Sequence, residues 1–252
     1  MAGYQIRLGR LFNPVSGRSF VTAIDHAVTI GVPEGNEDAL ATLQTVIDGG
    51  PDAVLLGPGL LNLAADKFAV QGAPSALMRC DFIVNHDYLM PLGTFYRQIA
   101  TAEYAARLGA DAVVMFLMTG ADNAEMLKDN MDAITTMADA AHNVGLPLIV
   151  ESVLWGTRVA NLKDPERLAF GARMAFELGA DIVKTEYTGD AASMRDIING
   201  CPVPVMVLGG SKTNDMDGLL QGTRDAISVG ARGAIYGRNV WQQPDPVAVS
   251  RQ

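Results

Sequence analysis

One lysine lies inside a short apolar segment of the chain. Lys184 stands in the run 181–187, Asp-Ile-Val-Lys-Thr-Glu-Tyr, whose β-branched residues predict a strand. Strand alternation then places Ile182, Lys184 and Glu186 on one face. Burial disfavours the charged form of an amine and lowers its pKa, and a nucleophilic lysine needs its neutral form. The run predicts a nucleophile; the structural alternative is a lysine that extends to solvent or pairs with Glu186.

Two carboxylates occupy comparable places in other predicted strands. Asp25 ends the run Phe-Val-Thr-Ala-Ile-Asp, and Glu151 lies in Pro-Leu-Ile-Val-Glu-Ser-Val. We interpret Asp25 as a proton carrier or an acceptor for a substrate hydroxyl group, with a helix cap as the alternative. A buried carboxylate is unfavourable unless it is paired. We therefore expect Glu151 to pair with Lys184, as an ion pair or as an acid–base couple. His26 alternates to the opposite face, which favours a packing role.

Two glycine-containing segments follow the last two predicted strands. Segment 208–213 reads Leu-Gly-Gly-Ser-Lys-Thr, and segment 236–239 reads Tyr-Gly-Arg-Asn. Glycines let backbone N–H groups approach an anion closely, and barrels frequently bind phosphate with these two loops. Arg238 can add a charge-assisted contact. The segments predict a phosphate site; the alternative is a pair of tight turns without a ligand.

A repeated pattern of helix, glycine and β-branched run connects these residues. It is clearest at 107–118 and 177–187, where Leu-Gly-Ala-Asp precedes an apolar run. Eight such strands are predicted, at residues 19–26, 53–58, 76–83, 112–118, 147–153, 181–187, 204–209 and 233–237. Near-continuous apolar strands are typical of a parallel sheet that is covered on both faces. The pattern predicts a single-domain (β/α)8 TIM barrel over residues 1–252, with its chemistry at the C-terminal ends of the strands.

Two details refine this prediction. A doubly wound open sheet is disfavoured, because the first strand is followed by Asp25-His26-Ala27 and no Gly-x-Gly-x-x-Gly segment. The last unit is short: after Asn239 too few residues remain for a full closing helix. Either that helix is short or the tail packs elsewhere.

Composition narrows the class of protein. Hydrophobic residues make up 49% of the 252 residues, charged residues 19%, and the net charge is −9. This indicates a globular chain and disfavours nucleic acid or an anionic membrane as a partner. Cys80 and Cys201 have no metal-ligand spacing, and the N-terminal segment has no signal-peptide pattern. We expect two reduced thiols, a cytoplasmic location and no metal or other cofactor.

At these residues the chain resembles a known family. Four segments carry the resemblance: 23–26 (Ala-Ile-Asp-His), 183–190 (Val-Lys-Thr-Glu-Tyr-Thr-Gly-Asp), 207–213 (Val-Leu-Gly-Gly-Ser-Lys-Thr) and 237–242 (Gly-Arg-Asn-Val-Trp-Gln). They are similar to DeoC/FbaB/LacD-type class I aldolases, especially archaeal-type fructose-bisphosphate aldolases and 2-amino-3,7-dideoxy-D-threo-hept-6-ulosonate synthases. The match runs from about residue 6 to residue 246.

The resemblance implies a role for each candidate residue. It implies a (β/α)8 barrel in which Lys184 forms a Schiff base with a phosphorylated ketone, and Asp25 orients substrate or relays protons. The implied phosphate-binding residues are Gly209, Gly210, Ser211, Gly237 and Arg238. It further implies a cytoplasmic homo-oligomer, often built on five-fold rings and hence a pentamer or decamer.

The chain departs from the family pattern at two places. Ala27 replaces the glycine of the usual Asp-His-Gly motif. The two similar branches also carry a Tyr-Pro-Arg-Gly run whose tyrosine is the acid/base. Aligned without a gap, that run corresponds to Val153-Leu154-Trp155-Gly156. Valine cannot transfer a proton, so Glu151 is the candidate replacement, as in similar tagatose-bisphosphate aldolases.

We therefore expect a class I aldolase that cleaves or forms a phosphorylated ketose, with a dihydroxyacetone phosphate-type donor and an aldehyde. A transaldol-type synthase or a thiolase on a phosphorylated dione would keep the lysine and the phosphate loops. A non-catalytic sugar-phosphate-binding barrel is the alternative from another class.

Overall fold

Eight parallel strands close into a barrel with helices around it. The structure is a computed structural model that describes residues 2–84, 86–156 and 158–252. In chain order the strands are β1 (Ser19–Ala23), β2 (Ala53–Leu56), β3 (Ser75–Arg79), β4 (Asp81–Ile83), β5 (Tyr96–Gln98), β6 (Ala112–Met118), β7 (Leu148–Val153), β8 (Ile182–Thr185), β9 (Val205–Leu208) and β10 (Gly233–Tyr236). Around the barrel the order is β1, β10, β9, β8, β7, β6, β3, β2. The predicted (β/α)8 fold is confirmed.

The helices follow the strands in alternation. They are α1 (Ala2–Arg10), α2 (Ala27–Ile30), α3 (Ala39–Asp48), α4 (Pro58–Leu63), α5 (Ala65–Phe68), α6 (Ala102–Arg107), α7 (Ala124–Asn143), α8 (Pro165–Glu177), α9 (Ala191–Gly200), α10 (Met216–Ser228), α11 (Arg238–Trp241) and α12 (Pro246–Ser250). The longer ones begin at side-chain caps such as Asp164 and Asp190, which accept backbone N–H groups of the first turn. No helix in the described ranges is long and apolar enough to cross a membrane.

The third predicted strand was too long. The sequence predicted one strand over 76–83, but β3 ends at Arg79, and Asp81–Ile83 forms an antiparallel pair with Tyr96–Gln98 outside the barrel. Cys80 is the branch point: its N–H donates to Val114, whereas its carbonyl accepts from Ile99 and Ala100. Apolar residues continue on both sides of Arg79 and Asp81, so the composition does not show that the chain changes its strand partner here.

The barrel interior is filled in layers by alternate residues of each strand. The lower layer is apolar and includes Val21, Leu55, Leu77, Val114, Ile149, Ile182, Met206 and Ile235. Leu11 and Phe12, just after α1, pack against this layer and close the N-terminal end. Two residues further along three of the strands the side chains are polar, namely Arg79, Glu151 and Lys184, and Asp25 follows the end of β1, two residues after Ala23 of the same apolar layer. Because alternate residues of a strand point to the same face, these polar side chains lie together at the C-terminal mouth of the barrel.

The C-terminal segment shows both features that the sequence left open. The last helices are short, since α11 has four residues and α12 five. In addition, α12 packs against α3, where Arg251 donates to the Asp48 carbonyl at 3.2 Å. The tail is therefore held against α3, the helix between β1 and β2, by contacts between distant parts of the chain.

Candidate active site

Lys184 and Glu151 form a buried ion pair at the mouth of the barrel. β7 and β8 are in register with Glu151 opposite Lys184, and Lys184 Nζ lies 2.8 Å from Glu151 Oε1. The two residues are 6% and 4% exposed. The predicted pairing is confirmed. The alternative pairing with Glu186 is wrong, because β8 ends at Thr185 and Glu186 does not line the cavity.

Arg79 links this pair to Asp25. Its Nε donates to Asp25 Oδ2 at 2.8 Å, and one terminal nitrogen donates to Glu151 Oε2. The other terminal nitrogen donates to Asp81 Oδ1 at 3.4 Å. The guanidinium group lies over the Phe116 ring, 3.8 Å from its centre. One arginine that is 1% exposed therefore contacts three carboxylates and an aromatic face.

The charges of this network stabilise one another. Burial would raise the pKa of Asp25, but Arg79 and, more weakly, Lys184 outweigh it and hold that pKa below its usual range. Burial would also raise the pKa of Glu151, but Lys184 and Arg79 outweigh burial and hold that pKa below its usual range. Burial alone would lower the pKa of Arg79, but the three carboxylates outweigh burial and raise that pKa above its usual value. Asp25 and Glu151 are consequently ionised at neutral pH and can accept protons.

Asp81 lies behind Arg79 and is fully buried. Burial raises its pKa to about 7, although Arg79 and the Phe116 N–H, which donates to Oδ2 at 2.6 Å, both oppose the shift. Asp81 therefore changes charge near neutral pH. It does not line the cavity, so it acts on the site through Arg79 and the backbone of β6.

Asn239 holds the two predicted phosphate loops together. Its Nδ2 donates to the carbonyls of Gly209 at 2.6 Å and Ser211 at 3.1 Å, and its Oδ1 accepts from Thr213 N at 2.8 Å. Arg238 donates to the Gly210 carbonyl at 3.3 Å. The carbonyls of Gly209, Gly210 and Ser211 are thus all engaged by side chains of the 237–239 segment. The amide N–H groups of Gly210 and Ser211 donate to no acceptor within the described part of the chain.

Both loops need glycine for steric reasons. Gly210 has a φ of 65°, in the left-handed region. A Cβ on Gly237 would overlap the His26 ring and lie 2.7 Å from the Ala23 carbonyl oxygen. His26 also packs edge-on against Trp241, 5.5 Å between ring centres. Burial lowers the pKa of His26 to about 4, so its imidazole is neutral. The predicted packing role fits these contacts, although the ring also reaches the cavity wall.

These groups line one cavity of about 500 Å³. Its wall includes every residue that the sequence proposed for the site: Lys184, Asp25, Glu151, Gly209, Gly210, Ser211, Gly237 and Arg238. The structure therefore brings them together. Val153, which stands where the family tyrosine would be, is fully buried and does not line the cavity. Trp155 does line it, with its ring 5.4 Å from Phe116.

The sequence reasoning missed Arg79, Asp81, Phe116 and Asn239. A signal for Arg79 and Asp81 was present, because two charges at a spacing of two interrupt the apolar run Ser-Ala-Leu-Met-Arg-Cys-Asp-Phe-Ile. Such charges inside a buried strand require partners. Phe116 and Asn239 carried no comparable signal, since aromatic residues in strands and asparagines near helix starts are ordinary.

Comparison with known proteins gives a consistent result. The sequence profile described as DeoC/LacD family aldolase matches residues 19–243. An uncharacterized aldolase of Saccharolobus solfataricus is 34% identical over 98% of this chain and 91% of its own length. A 2-amino-3,7-dideoxy-D-threo-hept-6-ulosonate synthase of Halobacterium salinarum is 32% identical over 99% and 89%.

The solved structures agree. An archaeal fructose-1,6-bisphosphate aldolase, described with its catalytic lysine covalently bound to the carbinolamine intermediate of the substrate, has a TM-score of 0.83. It is 27% identical and covers 98% of this chain and 96% of its own. Fold, cavity and relatives thus define a class I aldolase, a lyase that acts through a Schiff base. The chain belongs to the DeoC/LacD family of aldolases.

Proposed function

We propose that Lys184 is the Schiff-base lysine and that the enzyme cleaves or forms a phosphorylated ketose through a dihydroxyacetone phosphate-type donor. The observation that carries this proposal is the buried Lys184–Glu151 pair, 2.8 Å apart at the floor of a cavity. The same cavity is lined by two glycine loops that suit a phosphate.

Glu151 is placed to control the proton of Lys184. Transfer of that proton to the carboxylate gives the neutral amine, which attacks the ketone carbon. Loss of water from the carbinolamine then gives an iminium ion. The iminium accepts the electron pair of the C3–C4 bond, so cleavage releases an aldehyde and leaves an enamine. Protonation at C3 and hydrolysis return the ketone and the free lysine.

Glu151 and Asp25 are the candidate proton carriers for the substrate. Cleavage requires a base for the C4 hydroxyl proton, and dehydration of the carbinolamine requires an acid. Both carboxylates line the cavity and are ionised because Arg79 contacts them. We assign the C4 proton to Glu151, since it also contacts the nucleophile.

The phosphate of the donor is assigned to the 209–211 and 237–238 loops. Residues of both loops, including Arg238, line the same cavity. The guanidinium of Arg238 contacts a carbonyl and no carboxylate in the described structure, so its charge remains available for an anion. β9 lies next to β8 in the barrel, which places these loops beside Lys184.

Borohydride trapping tests the proposal. Reduction in the presence of dihydroxyacetone phosphate should leave a covalent adduct on the peptide that contains Lys184, located by mass spectrometry. Lys184→Met should abolish the adduct. An adduct that persists in that variant, or no adduct in the wild type, would overturn the assignment.

A synthase is the second candidate, because a relative of 32% identity bears that name. A transaldol-type synthase, or a thiolase on a phosphorylated dione, would use the same lysine and loops with another second substrate. Product analysis by mass spectrometry separates them. Substrate binding without turnover would instead indicate a non-catalytic sugar-phosphate-binding barrel.

We also propose a cytoplasmic homo-oligomer. Cys80 and Cys201 are free and buried, which suits a reducing compartment. Apolar side chains such as Val15 (94% exposed) and Phe170 (64% exposed) offer surface for contacts between subunits. Light scattering of the purified protein tests the assembly, and a monomer would exclude it.

A further inference from the structure

We propose that the aldehyde partner of this enzyme is uncharged and apolar, for example an aliphatic or arylacetic aldehyde, and carries no phosphate. This inference rests on the proposed function, since it concerns the second substrate of the same Schiff-base site. It follows from the distribution of charge and apolar surface around the cavity.

The order of the strands gives the cavity two distinct ends. The phosphate loops follow β9 and β10, and Lys184 lies on the adjacent β8. β6 lies directly across the barrel from β10, and β7 lies between β6 and β8. A donor with its phosphate at β9 and β10 and its carbonyl carbon at Lys184 therefore directs its C3 carbon toward β7 and β6. The aldehyde must enter on that side.

Apart from Glu151, which pairs with Lys184 and Arg79, the side of the cavity at β6 and β7 is lined by apolar side chains. Phe116 of β6 and Trp155 after β7 lie with ring centres 5.4 Å apart. Val159 and Leu162, from the loop between β7 and α8, extend the same wall. Such a surface favours an apolar substituent, whose transfer from water is stabilising, and disfavours a phosphate that would lose its hydration.

The described cations of the cavity wall leave no partner for a second phosphate. Lys184 is bound to Glu151, and all three nitrogens of Arg79 are occupied by carboxylates. Arg238 belongs to the donor end. His26 is neutral, since burial lowers its pKa to about 4. A phosphorylated aldehyde would also approach the ionised carboxylates of Asp25 and Glu151, which repel it.

The preference for an apolar aldehyde depends chiefly on Trp155. Trp155 follows β7 by two residues and lines the cavity wall. The indole packs against Phe116, and the Arg79 guanidinium group lies over the same phenyl ring. A large apolar side chain at this point of the cavity wall favours an apolar substituent on the aldehyde.

The condensation itself is unchanged by this preference. The enamine carbon C3 forms a bond to the aldehyde carbon, and the carbonyl π electrons move to the aldehyde oxygen. That oxygen takes the proton held by Glu151, and the enamine becomes an iminium ion. Water hydrolyses the iminium, which releases the ketose and returns the amine of Lys184.

An acceptor panel tests the inference. With dihydroxyacetone phosphate as donor, kcat/KM is measured for butanal, phenylacetaldehyde, glyceraldehyde and glyceraldehyde 3-phosphate, with products identified by mass spectrometry. We expect the apolar aldehydes to exceed glyceraldehyde 3-phosphate by about tenfold or more, as for a site that leaves a charged group unpaired. A preference for the phosphorylated aldehyde would overturn the inference.

Trp155→Arg provides the matched substitution. It should lower the ratio of apolar to phosphorylated aldehyde by about tenfold, because the new guanidinium group can pair with phosphate. Thr136→Arg places the same charge on the exposed face of α7, outside the cavity wall, and the ratio should remain at the wild-type value. An unchanged ratio in folded Trp155→Arg would also count against the inference. Should that variant fail to fold, the wild-type ratio alone decides.

Borohydride trapping distinguishes a failure of the proposed function from a failure of the proposed aldehyde preference. A trapped Lys184 adduct together with a preference for glyceraldehyde 3-phosphate contradicts only the choice of aldehyde. No adduct with dihydroxyacetone phosphate contradicts the proposed function and the inference that rests on it.

Discussion

Replacement of Arg79 by methionine should expose how strongly the site depends on one buried cation. Arg79 is 1% exposed and contacts Asp25, Asp81 and Glu151. Lys184 would still neutralise Glu151, but the other two carboxylates would lose their cation. Removal of one partner from a buried ion pair destabilises a protein by about 3–5 kcal/mol. We expect a loss of that size at pH 8, seen as a Tm lower by roughly 10 °C.

The loss should depend on pH in a defined direction. In the wild type the pKa values of Asp25 and Glu151 are lowered, so their stabilising contribution is present above pH 5 and declines as the pH falls. Without Arg79, burial should raise the pKa of Asp25 and raise that of Asp81 above its present value of about 7. Raised carboxyl pKa values destabilise the fold as the pH increases through them. The difference between wild type and variant should therefore be larger at pH 8 than at pH 5.

Urea denaturation followed by circular dichroism measures both values. The control is Arg79→Met combined with Asp81→Asn, which removes one uncompensated carboxylate while the amide oxygen can still accept from Phe116 N. The double variant should regain about 1–3 kcal/mol at pH 8. A loss below ~1 kcal/mol, or one equal at both pH values, would refute the electrostatic account. So would a double variant no more stable than the single one, because lost packing on Phe116 would then explain the effect.

Further substitutions test separate parts of the site. Glu151→Gln should lower kcat for cleavage by at least about 10²-fold, and an unchanged rate would leave it a structural role only. Asn239→Ala should raise KM for dihydroxyacetone phosphate more than it lowers kcat, because the 209–211 loop loses its anchor; equal changes in both would contradict this. Tyr4→Phe removes a 2.6 Å hydrogen bond to Asp181 at the opposite end of the barrel. It should lower the free energy of unfolding by about 1 kcal/mol with kcat unchanged, and a lower kcat would be evidence against this separation.

The part of the fold that the sequence predicts is the part with local signals. The helix-to-strand boundary at Gly179 repeats at Gly109 and Gly145, and each of these glycines has a positive φ. Each of these helix-to-strand boundaries is encoded within a few residues. The number of strands, and with it the barrel, can therefore be predicted from the sequence. The pairing of Glu151 with Lys184 is predictable for a related reason: a buried charge in an apolar strand needs a partner on its neighbour.

The rest depends on contacts between distant segments. The end of β3 at Arg79 is decided by competition between two partners, since Cys80 bonds to Val114 on one side and to Ile99 on the other. Likewise, Asn239 anchors Gly209 and Ser211, thirty and twenty-eight positions earlier in the chain. The types of these residues do not predict such contacts, because the stabilisation comes from partners that are distant in the sequence.

The buried charges support the proposed role of Glu151 as the proton carrier in place of the family tyrosine. Val153 is fully buried and away from the cavity, so no side chain at that position can donate a proton to substrate. A tyrosine can donate a proton while its side chain is neutral. A buried carboxylate can accept a proton only if its surroundings keep it ionised. Arg79 meets that requirement for Glu151 and Asp25 at once, and Asp81 fixes the guanidinium group from behind. The contacts of Arg79 with Glu151 and Asp25 therefore support the proposal that a carboxylate, and not a tyrosine, carries the proton in this site.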